Sequence, residues 1–169
     1  MVPVLETERL TLRGHQLDDF PAFATMWADS AVTRHIGGKP LSQEESWTKF
    51  LRYFGHWALL GFGYWVVEEK ATGHFVGEVG FADYKRNIEL ELNFPEAGWV
   101  LAAQFHGKGY ATEAVRAAIA WGESHFGSSP TTCLIHPENL ASIRVAEKCG
   151  YRERERTTYK GHPTMVFVR

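Results

Sequence analysis

The chain has 169 residues, of which 44% are hydrophobic and 22% charged, the make-up of a globular domain able to bury its own core. A balance of 18 Lys+Arg against 20 Asp+Glu leaves a formal net charge of -2, so no bulk positive field exists to hold nucleic acid. Cys133 and Cys149 share no CxxC spacing, which excludes a disulfide framework and an evident zinc cluster and suits a reducing cytoplasm. No apolar run reaches the ~20 residues of a membrane span. The start is charged by Glu6 and has no basic-then-apolar signal. No repeat, low-complexity stretch or Pro/Gly/Ser linker divides the chain, so one domain over 1–169 is expected. Six Trp, six Tyr and 11 Phe supply a well-filled core, with some free to line a ligand cleft.

In chain order, Leu10 to Arg13 alternates as a half-buried strand. Asp18 or Asp19 caps a helix to about Ala28, with Pro21 in its first turn. Ser42-Gln43-Glu44-Glu45 is a capping box that opens a second helix. Its apolar side includes Trp47, Phe50, Leu51, Phe54 and Ala58, and Gly61 ends it. Tyr64–Glu69 and Phe75–Phe81 read as strands around a turn at Ala71-Thr72-Gly73. Glu89 to Leu92 extends a strand that Pro95 breaks, and Gly98 to Ala102 forms the next. A turn from His106 to Gly109 leads into a helix stopped by Gly127. Thr132 to Ile135 is a short strand, and Asn139 caps a last helix through Lys148, with Gly150 beyond it. Strands at about Tyr151–Glu155 and Thr164–Val168 finish the chain. The order is mixed α/β (α+β) with one βαβ crossover in the second half.

Two stretches carry chemistry. In Trp99 to Ala114 a strand enters a small-residue turn that opens directly into a helix. Glycines let backbone N–H groups approach a ligand, and the helix start adds partial positive charge, which together seat a phosphate or pyrophosphate. Lys108 adds charge from the side. The turn is neither a P-loop, since Gly107-Lys108-Gly109 lacks the Lys-Ser/Thr ending, nor a dinucleotide motif, whose third glycine falls at Thr112. The second stretch runs from His136 to Tyr151, with Asn139 and Ser142 at the helix start. Capping and surface duties alone would also explain both residues. The crossover puts both helix starts at one end of adjacent parallel strands.

The pair His-Gly-Lys-Gly-Tyr-Ala-Thr-Glu-Ala (106–114) and Glu-Asn-Leu-Ala-Ser-Ile-Arg-Val-Ala-Glu-Lys-Cys-Gly-Tyr (138–151) closely resembles the GNAT acetyltransferases. It looks most like their ribosomal-protein N-terminal acetyltransferase (RimJ/RimL-like) branch, whose first strand Leu5 to Arg13 also resembles. The resemblance spans essentially the whole chain. It implies the GNAT fold: a central, largely antiparallel twisted sheet with one parallel βαβ crossover, flanked by about four helices. It implies acetyl-CoA as co-substrate, no metal, and a primary amine as acceptor, on a small molecule or a protein N-terminus. The family's phosphate loop falls on His106, Gly107, Lys108, Gly109, Tyr110 and Ala111, with Thr112 following, and His106 stands where Gln or Arg is usual. Trp99, Val100 and Leu101 match the strand that pairs with pantetheine, and Asn139 and Ala141 match positions beside the coenzyme tail.

Many relatives carry a tyrosine where this chain has Ala146, so Ser142 becomes the candidate for the leaving thiolate. Glu96 is the candidate for taking the acceptor's proton, with Glu78 and Glu91 behind it as strand carboxylates. A strand N–H near Val100 or Leu101 would stabilise the oxyanion. Direct transfer is expected, since neither cysteine has an activating partner. His15, His35, His56, His74, His125, His136 and His162 show no metal spacing. The acceptor pocket is expected to involve the first two helices and the glycine-rich loop from Arg34 to Lys39, with Trp47 and Phe54 as core or pocket wall. A catalytically silent CoA-binding module and a nucleotide-phosphate enzyme stay open as alternatives, as does a homodimer. No membrane or nucleic-acid partner is expected.

Overall fold

A computed structural model describes residues 1–88, 90 and 94–169. The expected strand at 89–92, and with it Glu91, lies outside the described residues apart from Leu90. Eight strands form one sheet in the order β1-β2-β3-β4-β5-β6-β8-β7. They are β1 (Leu5–Glu6), β2 (Leu10–Arg13), β3 (Tyr64–Glu69), β4 (Phe75–Ala82), β5 (Glu96–Leu101), β6 (Thr132–Ile135), β7 (Arg152–Tyr159) and β8 (His162–Val168). Every adjacent pair is antiparallel except β5 and β6. Among the described residues five α-helices flank the sheet: α1 (Phe20–Trp27), α2 (Ser30–Thr33), α3 (Gln43–Leu60), α4 (Tyr110–Phe126) and α5 (Leu140–Lys148). The mixed architecture with one parallel crossover is as expected. The additional helix is α2, a single turn started by Asp29, whose side chain accepts from the Ala31 amide.

The sheet is covered on both faces, and strand alternation sorts its side chains between them. Leu10, Leu12, Trp65, Val67, Trp99 and Leu101 pack with Ala114, Val115, Ala118 and Ile119 of α4. Tyr64 and Val100 pack on the other side with Phe23, Met26 and Trp27 of α1 and Phe50 and Tyr53 of α3. Tyr64 can lie over β5 because residue 98 is glycine; a Cβ there would collide with the Tyr64 hydroxyl.

Local signals placed several boundaries well. The Ser42–Glu45 capping box forms in both directions, and Gly61 closes α3 in the left-handed region at φ 73°. Other details differ from the sequence reading, the last two strands running longer than expected, to Tyr159 and from His162. Asp19 does not cap α1 with its side chain; both oxygens go to the Arg13 guanidinium at 2.8 and 2.9 Å, and one also accepts from the Gln16 amide. The Arg13 charge holds this carboxyl below the usual range against the opposing effect of its own burial. On α3 the inward face is Ser46, Phe50, Tyr53 and His56, while Trp47, Leu51 and Phe54 are exposed. Phe50 and Tyr53 win the core because they meet Phe23 of α1 edge-on, at ring centroids 5.2 and 6.0 Å away.

Candidate active site

The two helices that follow the parallel pair, α4 after β5 and α5 after β6, begin at the same end of the sheet. The strands meet only near their starts, where Glu96 lies opposite Thr132 and the Thr132 amide donates to the Pro95 carbonyl at 3.0 Å. Beyond that point they part. On its other edge β5 stays paired to β4 up to Leu101, and the Ala102 amide donates to Val76 at 2.9 Å. Peptide groups alternate in direction along a strand. Val100 therefore turns its N–H toward β4, and Trp99 and Leu101 turn theirs into the gap between β5 and β6. Of the two strand positions expected to stabilise an oxyanion, Leu101 faces the gap and Val100 does not.

At the mouth of this gap the chain makes a short 3-10 turn, Ala103–Phe105, and then the glycine turn. The His106 ring nitrogen lies 2.8 Å from the Leu101 carbonyl, so this side chain fastens the turn to the strand end. Gly107 and Gly109 have φ of 76° and 81°, conformations that other residues adopt at a cost. With the chain folded this way, the amides of Gly107, Lys108, Gly109, Tyr110, Ala111 and Thr112 find no protein acceptor among the described residues. The first amide to bond back is Glu113, to the Gly109 carbonyl at 3.1 Å. Six unpartnered donors at a helix start make an anion seat. The Lys108 ammonium lies 5.1 Å from the Phe105 ring beside it.

A brace that sequence reasoning missed holds this turn from behind. Glu113 accepts from the Thr7 hydroxyl at 2.7 Å, the Arg9 amide at 2.9 Å and Arg9 Nε at 2.7 Å. Arg9 Nη1 donates to the Lys108 carbonyl at 2.9 Å, and its guanidinium covers the Tyr110 ring at 4.4 Å. The Tyr110 hydroxyl donates to Glu69 at 2.5 Å. The early Thr7-x-Arg9 and the helical Glu113 are far apart in the chain, and only the fold joins them.

Across the gap, Asn139 caps α5 by accepting from the Ser142 amide at 3.2 Å. Its side-chain amide still has donors to offer, and Ser142 is half-buried with no bonded partner for its hydroxyl among the described residues. Ala141 is exposed beside them. Ala146, one turn beyond Ser142, is fully buried against the core. Burial pushes both the Cys133 and Cys149 thiols up, which leaves neither primed as a nucleophile.

The strand carboxylates sit in unlike surroundings. Glu96 is gripped by Arg86, with both oxygens 2.6 Å from guanidinium nitrogens. Glu78 on β4, directly opposite Val100, is fully buried. Its Oε1 accepts from the Tyr53 hydroxyl at 2.6 Å, while Oε2 has no hydrogen-bond partner among the described residues and lies 3.8 Å from His15 Nε2. Burial, then the Glu78 charge, push the Tyr53 hydroxyl well above its usual range. Lys49 of α3, over the Trp27 ring at 4.1 Å, is lowered by burial to about 8, with the Glu78 charge acting the other way. The histidines are not all scattered. His35 and His136 stack with centroids 5.4 Å apart, next to Glu138.

Known proteins resemble the chain in sequence and in fold. The chain is 31% identical over 169 residues to the YkkB protein of Bacillus subtilis (strain 168), covering 98% of this chain and 94% of that one. It is 27% identical to an acetyltransferase from Agrobacterium tumefaciens str. C58, whose crystal structure superposes with a TM-score of 0.86 over 100% of this chain and 95% of that one. The ribosomal L7/L12 α-N-protein acetyltransferase RimL, solved in complex with coenzyme A, has the same fold at 16% identity, with a TM-score of 0.80 over 99% and 97% of the two chains. The family model for the acetyltransferase (GNAT) domain matches residues 9–152, from the arginine of the brace through α5, and the chain belongs to that family.

Proposed function

We propose that the protein moves the acetyl group of acetyl-CoA directly to a primary amine. The observation that carries this reading is the row of six unpartnered amides at Gly107 to Thr112, opening onto the free edge of β5. That arrangement fits a pyrophosphate followed by an extended chain that can pair with strand peptide groups. RimL, of the same fold, was solved with coenzyme A.

Acetyl-CoA supplies an acyl group activated as a thioester. The amides of Gly107, Lys108, Gly109, Tyr110, Ala111 and Thr112 hold its phosphates, and Lys108 adds its charge. Trp99 and Leu101 pair with the pantetheine arm through their gap-facing peptide groups. Asn139 and Ala141 line the tail. The Leu101 N–H receives the developing oxyanion, a task that rewards a fixed donor. Ser142 donates its hydroxyl to the departing sulfur, and Ala146 supplies no phenol to compete for that role.

A proton must leave the acceptor amine before it attacks. Glu96 and Glu78 are the candidate carboxylates for this, and their partners distinguish them. Arg86 engages both oxygens of Glu96, whereas Glu78 has no partner for Oε2 among the described residues and receives a proton-bearing partner, Tyr53, at Oε1. We therefore place Glu78 ahead of Glu96. The acceptor itself is a small-molecule amine or a protein N-terminus, and the reaction runs on a protein none of whose described helices is long and apolar enough to cross a membrane.

The test is release of CoA thiol from acetyl-CoA with a panel of amines: peptide N-termini, polyamines and amine-bearing small molecules. Turnover with one of these establishes the activity. Binding of CoA without turnover on any amine would leave a coenzyme-binding module instead. With an acceptor in hand, Glu78→Gln should depress kcat/KM ~10²–10⁴-fold, most severely at low pH where free amine is scarce. An unchanged profile for Glu78→Gln together with a depressed one for Glu96→Gln would reverse the assignment.

A further inference from the structure

His35, His136 and Glu138 come from two separate parts of the chain. His35 follows α2 on the loop whose Gly37 and Gly38 are both left-handed, at φ 80° and 77°. His136 and Glu138 lie in the turn between β6 and α5, just before the Asn139 cap. Folding brings one ligating atom from each of the three within 4.8 Å of the others. The imidazole rings face each other at 23°, and both histidines are half-buried. The Glu138 amide donates to His136 Nδ1 at 3.2 Å, which restrains that ring.

From this grouping we propose that the protein binds one divalent transition-metal ion of the zinc class between the loop after α2 and the turn before α5. Two imidazoles and one carboxylate form a borderline-soft N₂O donor set, which suits zinc and its neighbours better than calcium or magnesium. Zinc bonds of about 2.0–2.2 Å to nitrogen and oxygen require the three ligand atoms to stand nearer one another than they do now. A small shift of the exposed Glu138 and of the glycine loop supplies that closure. Coordination through His136 Nε2 needs a proton on Nδ1 and so gives up the amide contact, a weak one at 3.2 Å. A fourth position stays open to water. Bound metal would cross-link the two segments, so the loop carrying His35 becomes fixed against the start of α5.

The experiment is titration of the full chain with Zn²⁺ by calorimetry, and with Co²⁺ by its visible absorption. The expected result is one equivalent bound, with the strong visible bands of a tetrahedral cobalt site. His35→Gln and His136→Gln should each weaken binding at least ~10-fold, and Glu138→Gln less. His74→Gln, in the β3–β4 turn, should change nothing. Hydrogen exchange over residues 34–39 should slow on adding Zn²⁺ to the wild type and not to His35→Gln. Circular dichroism of each variant checks that it is folded; if His136→Gln is not, His35→Gln on its loop decides the matter alone. Absence of stoichiometric binding, or binding that survives both folded histidine variants unchanged, overturns the proposal.

Discussion

In the proposed reaction, Ser142 acts through one hydroxyl and Gly109 through its backbone. The Ser142 hydroxyl has no bonded partner among the described residues, so its removal costs the helix little; the cap runs through the Ser142 amide and Asn139. Ser142→Ala should therefore lower kcat while coenzyme affinity, read by calorimetry, stays near wild type. The loss of one donor to developing charge is at most about 2.7–4 kcal/mol, and less for a diffuse thiolate. An unaltered kcat would leave the hydroxyl a bystander. Gly109 acts through its backbone. A Cβ there would stand 3.4 Å from Arg9 Nη2, on the side of the brace, and φ 81° costs a side-chain-bearing residue about 1–2 kcal/mol. Gly109→Ala should weaken acetyl-CoA binding by distorting the row of amides rather than by filling the seat. Gly107→Ala carries the same strain with open space around its Cβ, so comparing the two affinities isolates the contact with Arg9.

At the scale of elements, α3 carries an internal electrostatic cost. Lys49 projects from it into aromatic surroundings, and burial lowers its ammonium to about 8 from 10.5. The unfolded chain thus holds this proton more tightly than the folded one between those values. Stability should rise with pH through that window, and below about 8 the cost is constant. It is at most about 3 kcal/mol, because the ring of Trp27 returns part of it by cation–π attraction. Lys49→Met should raise the melting temperature at pH 7, and its advantage over wild type should shrink as pH climbs toward 10.5. Thermal melts of both proteins across that range measure this directly. A parallel advantage at every pH would mean that better packing, not charge, explains the gain. α4 shows the opposite arrangement, with Glu113 ionised, threefold hydrogen-bonded and tying the glycine turn to the first strands.

For the whole molecule, the decisive feature is a sheet that is continuous at one end and split at the other. Four antiparallel pairings hold β1 to β5 together, and β6, β8 and β7 make a second ribbon. Within the sheet the two halves pair at the short parallel contact of Glu96 and Thr132, and their side chains share one core under α4. A coenzyme lying in the split would bridge the halves and so stabilise the native state by linkage. At 100 times Kd that amounts to about 2.7 kcal/mol, or roughly 5–11 °C in melting temperature for a chain of this size. Acetyl-CoA should also slow hydrogen exchange at the gap-facing amides of Trp99 and Leu101 while leaving that of Val100, already paired to β4, unchanged. A melting shift without protection at those two amides would place the ligand elsewhere.

Features written in local code were readable along the chain. β6 and the course of α5 follow from an apolar run, an Asn cap and a terminal glycine, all within a few residues of one another. The glycine turn was legible because only a left-handed backbone needs glycine at 107 and 109. The inward face of α3 was not legible. The apolar side that the spacing names, Trp47 to Ala58, is broader than the core contact, and contact with Phe23 decides which part of it turns inward. The sequence marks Glu78 as a strand carboxylate but says nothing of its burial. The fold covers both faces of that strand and buries the carboxylate against Tyr53. The brace from Arg9 to Glu113 and the grouping of His35 with His136 likewise existed in no window of sequence. Each joins residues whose separation along the chain carries no pattern, and only chain closure, driven by burial of the two cores, brings their polar ends into reach.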